Sequence, residues 1–300
     1  MRGPWTLVEA TLYNESRPVT KTACLPVAVG FDGTSDARPA LAFAAHEADI
    51  RGTHLHLVHV IDPNGVASVG APDFETAAKW VRDMTGGRVE TVVSTRCGSV
   101  QDVLADVSRD VELLVVEHRR LSGLRRHRVP SIAVGLAGRV HSRMVSVPKD
   151  WDALPGGKAC ILVGVDAVDA EAEGLLQRAF AQASSEGARL WTVHAWALPN
   201  AYDDALVDPG ATDAWDTVYR GRLRMVMERH RCNHADVDVT VDVVHQAAAK
   251  ALVQRSDKAD LVLVGQGRLV HPLLNRLGSV SRAVLENSRC PVEVVTSTTR

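Results

Sequence analysis

Short runs that are apolar at nearly every position alternate along this chain with longer stretches whose apolar residues return every three or four positions. The runs VAVGFD at 27–32, LHLVHV at 55–60, ILVGVD at 161–166 and LWTVHA at 190–195 are too short for core helices and carry apolar side chains on both faces. That is the pattern of strands buried in a parallel sheet. Between them, ARPALAFAAHEADIRG at 37–52 and AEGLLQRAFAQASSEG at 172–187 have helical periodicity and end at a glycine suited to a helix C-terminus.

The same order of elements occurs twice. Asp32 and Asp166 are 134 positions apart and His59 and His194 are 135 apart, so two copies run in step. Further on, residues 91–116 match 240–264, with an offset of 148 at Val116 and Val264, so the second copy has gained about 13 residues between its second and third strands. The gain falls at LPNAYDDALVDPGATDAWD, 198–216, which reads as a loop. Each copy is strand, helix, strand, helix, strand, helix, strand, loop, helix, strand. Such alternation implies right-handed crossovers and a mostly parallel sheet with helices on both faces, an α/β Rossmann-like unit of five strands. Pro155 and the two glycines after it interrupt the pattern. We divide the chain into an extension at 1–22, a first unit at 23–150 and a second at 156–300.

Composition narrows the function classes. Aromatic residues make up only 4%, so Ala, Val and Leu must fill the cores. A formal net charge of −2 gives the whole chain no long-range attraction to nucleic acid or to an anionic membrane, and neither is expected as a partner. The five cysteines, Cys24, Cys97, Cys160, Cys232 and Cys290, form no CxxC pair, which points to neither a disulfide framework nor a zinc site and suits a reducing compartment. No run approaches the ~20 apolar residues of a membrane span, and the first residues lack a secretory pattern. A cytoplasmic location is expected.

In an open parallel sheet a ligand sits beyond the carboxyl ends of the strands, where strand order reverses. In the second copy those ends are Gly164-Val165-Asp166, His194-Ala195 and the long segment 264–295. The segment opens with Gly265 and Gly267, passes Arg268, His271, Pro272 and Arg276, and reaches Gly278-Ser279 before a helix. Glycines let backbone amides approach an anion, and the helix start favours phosphate. Ser279 can cap that helix or donate to a phosphate oxygen. Asp32 and Asp166 can accept from a ribose hydroxyl or adenine amine, or can serve as turn or N-cap residues. His59 and His194 read as packed, hydrogen-bonded structural histidines. No nucleophile with an adjacent base and no metal-ligand cluster is visible, so no catalytic residue and no metal site are assigned.

The VGxD starts and the GSVSRAVL…CPVEVV ending resemble the universal stress protein family, over nearly all of 25–148 and 159–296. The resemblance implies tandem five-stranded units forming an intramolecular pseudo-dimer through their last strands, here 142–147 and 291–295. Some members bind ATP through Gly-x2-Gly-x9-Gly-Ser/Thr. Carried onto this chain, that motif falls on Gly265, Arg268 in place of the second glycine, Gly278 and Ser279, with Gly267 one place early. The purine contacts would be Asp166 and the backbone of Ala195, with Gly164 beside them and Val280 at the phosphates. The first copy has Glu117, Arg120 and Pro130 at the glycine positions and keeps only Ser131. The implied function is a non-catalytic, adenine-nucleotide-binding stress-response regulator, with ATP as ligand, with or without Mg2+, in the second unit. The alternative is a nucleotide-free interaction module acting through its surface, with a protein or a second copy as partner. ATP-pyrophosphate-cleaving relatives of the fold would need an SGGxDS-like loop, whereas DGTSD and DAVDA stand at 32–36 and 166–170.

Overall fold

The computed structural model describes residues 24–34, 37–63, 72–118, 131–152, 159–165, 170–198, 200, 204, 206–267 and 277–295. The chain separates into two units, Met1–Asp150 and Trp151–Arg300. The first contains β1 (Val27–Gly30), α1 (Arg38–Arg51), β2 (Leu55–Ile61), α2 (Phe74–Met84), β3 (Thr91–Cys97), α3 (Val100–Val107), β4 (Leu113–His118), α4 (Ile132–Ala137) and β5 (Arg143–Pro148). Its strands lie in the order β3-β2-β1-β4-β5, and every pairing is parallel. The second contains β6 (Cys160–Gly164), α5 (Ala170–Glu186), β7 (Arg189–Trp196), α6 (Pro209–Arg231), β8 (Asp238–His245), α7 (Ala248–Arg255), β9 (Leu261–Gly265), α8 (Ser279–Asn287) and β10 (Val292–Val295). Its order, β8-β7-β6-β9-β10, repeats the first, again all parallel.

The central strands are fully buried, as their unbroken apolar runs require: Val27, Ala28, Val29, Leu113, Leu114 and Val115 in the first unit are each 0% exposed. In the second unit Leu162, Val163, Val262 and Leu263 do the same. Helix α1 packs on β1, β4 and β5, while α3 and α4 pack on each other against β2 and β4; α5 and the α7–α8 pair repeat this around β6 and β9. One contact explains why each first strand ends in glycine. A Cβ on Gly30 would stand 3.3 Å from Leu104 of α3, and a Cβ on Gly164 would stand 2.6 Å from Leu252 of α7. Both leucines are buried. The missing side chain lets the crossover helix settle on the sheet at the same place in both copies.

Paired charges tie the outer helices to the sheet ends. Arg51 of α1 bonds Glu47 and reaches Glu112 at 3.2 Å. In the second unit Arg178 of α5 donates to Glu293, which is 1% exposed on β10.

The added residues of the second copy are helical from Pro209 onward, which corrects the expected loop at 198–216. Asp208 caps α6 by accepting from the Gly210 amide at 2.8 Å, and Pro209 occupies the first turn, where its missing N–H costs nothing. Asp-Pro here starts a helix rather than breaking the chain. As a result α6 is 23 residues long, against 11 for its counterpart α2.

Candidate functional site

Strand order reverses between β1 and β4 in the first unit and between β6 and β9 in the second, since β1 and β6 each pair with the strand after them on one side and the fourth strand on the other. The mouths of these two crevices are where the fold can accept a ligand.

In the second unit the β9–α8 side is built by backbone contact. Gly267 has φ of +86°, a conformation L side chains rarely adopt, and it turns the chain directly after β9. A Cβ there would lie 2.9 Å from the Cα of Gly278, so the two glycines are in contact across the mouth. The Gly278 amide donates to the Gln266 carbonyl at 2.6 Å, and the buried Ser281 hydroxyl donates to the Gly265 carbonyl at 2.6 Å. Together these bonds fix the start of α8 against the end of β9. Gly278 is the N-cap of α8, with no side-chain cap, and Ser279 is its first residue. This corrects the reading of Ser279 as a cap: one residue further on, its exposed side chain lies past the capping position. The first-turn amides of α8 lack a side-chain acceptor at the cap, and they carry the positive end of the helix dipole. Among the described residues, a Cβ on Gly265 would meet nothing nearer than the Gly267 nitrogen at 3.9 Å, so no packing contact there demands glycine.

On the β6–β7 side, Gly164 ends β6 and owes its lack of a side chain to Leu252. Ala195 lies past the last β6–β7 pair, Gly164 with Val193, while it still pairs with Val244 of β8. Its edge toward β6 is therefore outside that ladder. His194 Nδ1 donates to the Val165 carbonyl at 2.8 Å, and His59 Nδ1 donates to the Phe31 carbonyl at 2.9 Å. These buried histidines fasten the exit of the first strand of each unit, a structural role, and the tautomer is set by the carbonyl acceptor. Val280 follows Ser279 in the first turn of α8. Asp166 and Arg268 lie outside the described residues, as do His271, Pro272 and Arg276.

Sequence reasoning missed the residues that close the rim of the second unit. Trp196 Nε1 donates to Asp216 at 2.7 Å, and the Trp196 ring stacks on His245 with centroids 4.1 Å apart. His245 Nε2 meets Asp204 at 2.7 Å, and Asp204 also accepts from the Leu198 amide at 2.7 Å. The Leu198 amide, followed by the His245 bond, holds the Asp204 carboxyl below the usual carboxylate range. The added segment is thus bonded to the ends of β7 and β8. No spacing in the sequence signals this, because Trp196, Asp204, Asp216 and His245 come from separate segments.

The first unit is differently made. Asp32 folds back into a turn, its Oδ1 accepting from the Thr34 amide at 2.9 Å and the Thr34 hydroxyl at 2.7 Å. A Cβ on Gly33 would stand 2.7 Å from the Cα of Pro72, so Pro72, just ahead of α2, lies directly on this turn. Ser131 caps α4 through the Val134 amide at 3.4 Å, whereas its counterpart Ser279 makes no cap of α8 among the described residues. Glu117 stands at the position of Gly265, and Arg120 and Pro130 lie outside the described residues.

Two doubly wound α/β units in tandem, each with a helix starting at its switch point, define the class. Comparison with known proteins gives the family. The sequence model of the universal stress protein family matches residues 25–148 and 160–296, and the chain belongs to that family. Two universal stress proteins of Mycobacterium tuberculosis are 29% identical over 290 residues and 30% identical over 291; the matches cover 90% and 89% of this chain and 96% of each relative. The fold is shared with a universal stress protein from Archaeoglobus fulgidus, with a TM-score of 0.62 at 14% identity, covering 90% of this chain and 96% of that one. Among the described residues no helix is long and apolar enough to cross a membrane, and no group of His, Cys, Asp and Glu could hold a metal ion.

Proposed function

We propose that the second unit binds an adenine nucleotide at the mouth between β6 and β9, and that the chain acts by binding rather than by turnover. The observation that carries this reading is the contrast between two equivalent helix starts. Helix α8 begins on Gly278 with no side-chain cap, whereas α4 begins on Ser131, whose own hydroxyl occupies the cap. An anion at α8 would take the place that the chain fills for itself at α4.

In this reading phosphate lies over Gly265, Gly267 and Gly278, accepting from the first-turn amides at Ser279 and Val280 and from the Ser279 hydroxyl. Gly265 supports it, because the room above that residue is left by the described chain. The purine lies toward Gly164, Ala195 and Asp166, and Arg268 supplies charge in place of a close backbone approach. ATP, with or without Mg2+, is the proposed ligand. In the first unit, Glu117 would bring a carboxylate to the phosphate position and Ser131 is already engaged, so that unit is proposed to bind none. Photolabelling of the full chain with an azido-adenine nucleotide, followed by peptide mapping, tests the assignment. Label confined to peptides of the second unit is expected, and label in the first unit would contradict it.

A further inference from the structure

The outer face of α6 combines exposed apolar side chains with arginines that pair with no acid among the described residues. Trp215, Val218 and Met225 are 45%, 53% and 67% exposed, and Leu206 just before the helix is 64% exposed. At about 100° per residue, positions 215, 218, 222, 225 and 229 fall on one stripe. Leu223, Val226, Met227 and His230 are buried on the adjoining side of the helix, and Trp215 at the edge of the stripe also packs on Trp196 with ring centroids 5.0 Å apart. Beyond that contact, Val218 and Met225 remain more than half exposed, apolar area that the packing of the helix does not use.

The charges beside it are one-sided. From Arg220 to Arg231 the helix carries five arginines and a single acid, Glu228, in a chain whose formal net charge is −2. Arg231 pairs with Glu228 at 3.3 Å, but Arg220, Arg222, Arg224 and Arg229 make no ion pair among the described residues. Other arginines on the surface do find acids, as Arg88 does with Asp49 and Arg139 with Asp102. A second copy of the chain does not suit this face, because a two-fold axis through it would set arginines against arginines. Nor does nucleic acid, because Trp215, the one aromatic side chain of the stripe, already packs on Trp196, and Val218 and Met225 offer a base no ring to stack on.

We propose that this face docks an acidic amphipathic helix of a partner protein. Apolar side chains of the partner would lie along Trp215, Val218 and Met225, and its flanking carboxylates would reach Arg222 and Arg229. The added residues of the second copy contribute Leu206 and Trp215 to this surface, and the rest comes from the part of α6 that follows them. The inference does not depend on nucleotide binding.

The test is fluorescence anisotropy of a labelled synthetic peptide with leucines at helical spacing and glutamates on both flanks, titrated with the full chain. Saturable binding is expected, weakening with added salt. Arg222→Glu with Arg229→Glu should weaken it by about tenfold or more, as should Met225→Ser, while the chain stays folded, since these side chains are exposed and the reversal at Arg229 in the last turn of α6 lowers thermal stability only slightly. A control peptide with lysine flanks should bind at least about tenfold more weakly. No measurable binding of the acidic peptide, or equal binding by the charge-reversed protein, would overturn the proposal. Binding of phosphatidylserine-containing vesicles in place of the peptide would also overturn it and assign the face to lipid.

Discussion

Gly267 and Gly278 meet backbone to backbone: a Cβ on either would stand within 2.9–3.2 Å of the Cα of the other. Eleven positions apart in sequence, they set the distance between the end of β9 and the start of α8. The motif expected from family resemblance wants its second glycine at 268, and this chain has arginine there. Gly267, one place early, provides the turn and the close approach. The mouth keeps a glycine-built wall although the motif is imperfect.

Gly267→Ala should therefore strain the backbone and push on Gly278 together, costing about 1–3 kcal/mol. Urea unfolding checks this. A change under about 0.5 kcal/mol would mean that the turn relaxes freely and that the contact does not organise the mouth.

The two equivalent serines should respond differently. Ser131→Ala removes a helix cap and should cost about 0.5–1 kcal/mol. Ser279→Ala removes an exposed hydroxyl that makes no cap and should stay within about 0.5 kcal/mol, while weakening nucleotide by about 2- to 10-fold. Parallel unfolding and binding titrations separate the two roles.

His56 gives a pH signature. Burial, then the positive charge of Arg96 and His54, pushes its pKa down to about 4. The unfolded chain takes up that proton near pH 6.5. Between pH 6.5 and about 4 the unfolded state thus binds more protons, and stability falls as pH falls. His56→Gln, which can still bond Ser94, should flatten that part of the stability–pH curve. An unchanged slope would assign the acid sensitivity elsewhere.

Thiol accessibility should follow burial. Cys24, Cys97 and Cys232 are exposed, whereas Cys160 and Cys290 are buried, and burial pushes the Cys290 thiol up to about 12. A thiol reagent should modify three cysteines rapidly in the native protein and the remaining two only on unfolding. Rapid modification of all five would contradict the packing around β6 and β10.

The strands, their order of appearance and the duplication were legible because a strand covered on both faces must be continuously apolar, and Val27–Gly30 and Cys160–Gly164 are. The start of α6 was misread because Pro209 and Gly210 look like chain breakers until Asp208 is seen as a cap. Gly164 was legible as a special position, but the reason could not be read locally: Leu252, 88 residues later, rests on it. Asp32 allowed two readings, and the choice fell to Thr34, which offers two donors at hydrogen-bond distance. The clasp of Trp196, His245, Asp204 and Asp216 joins residues of three separate segments, a relation that periodicity does not carry.

Calorimetric titration of the full chain with ATP and Mg2+, repeated on Gly278→Asp, tests the central claim most directly. One saturable site per chain is expected, weakened at least about tenfold when a carboxylate replaces the bare backbone at the start of α8. Absence of heat in the unmodified protein, or equal affinity in the variant, would contradict nucleotide binding at this mouth.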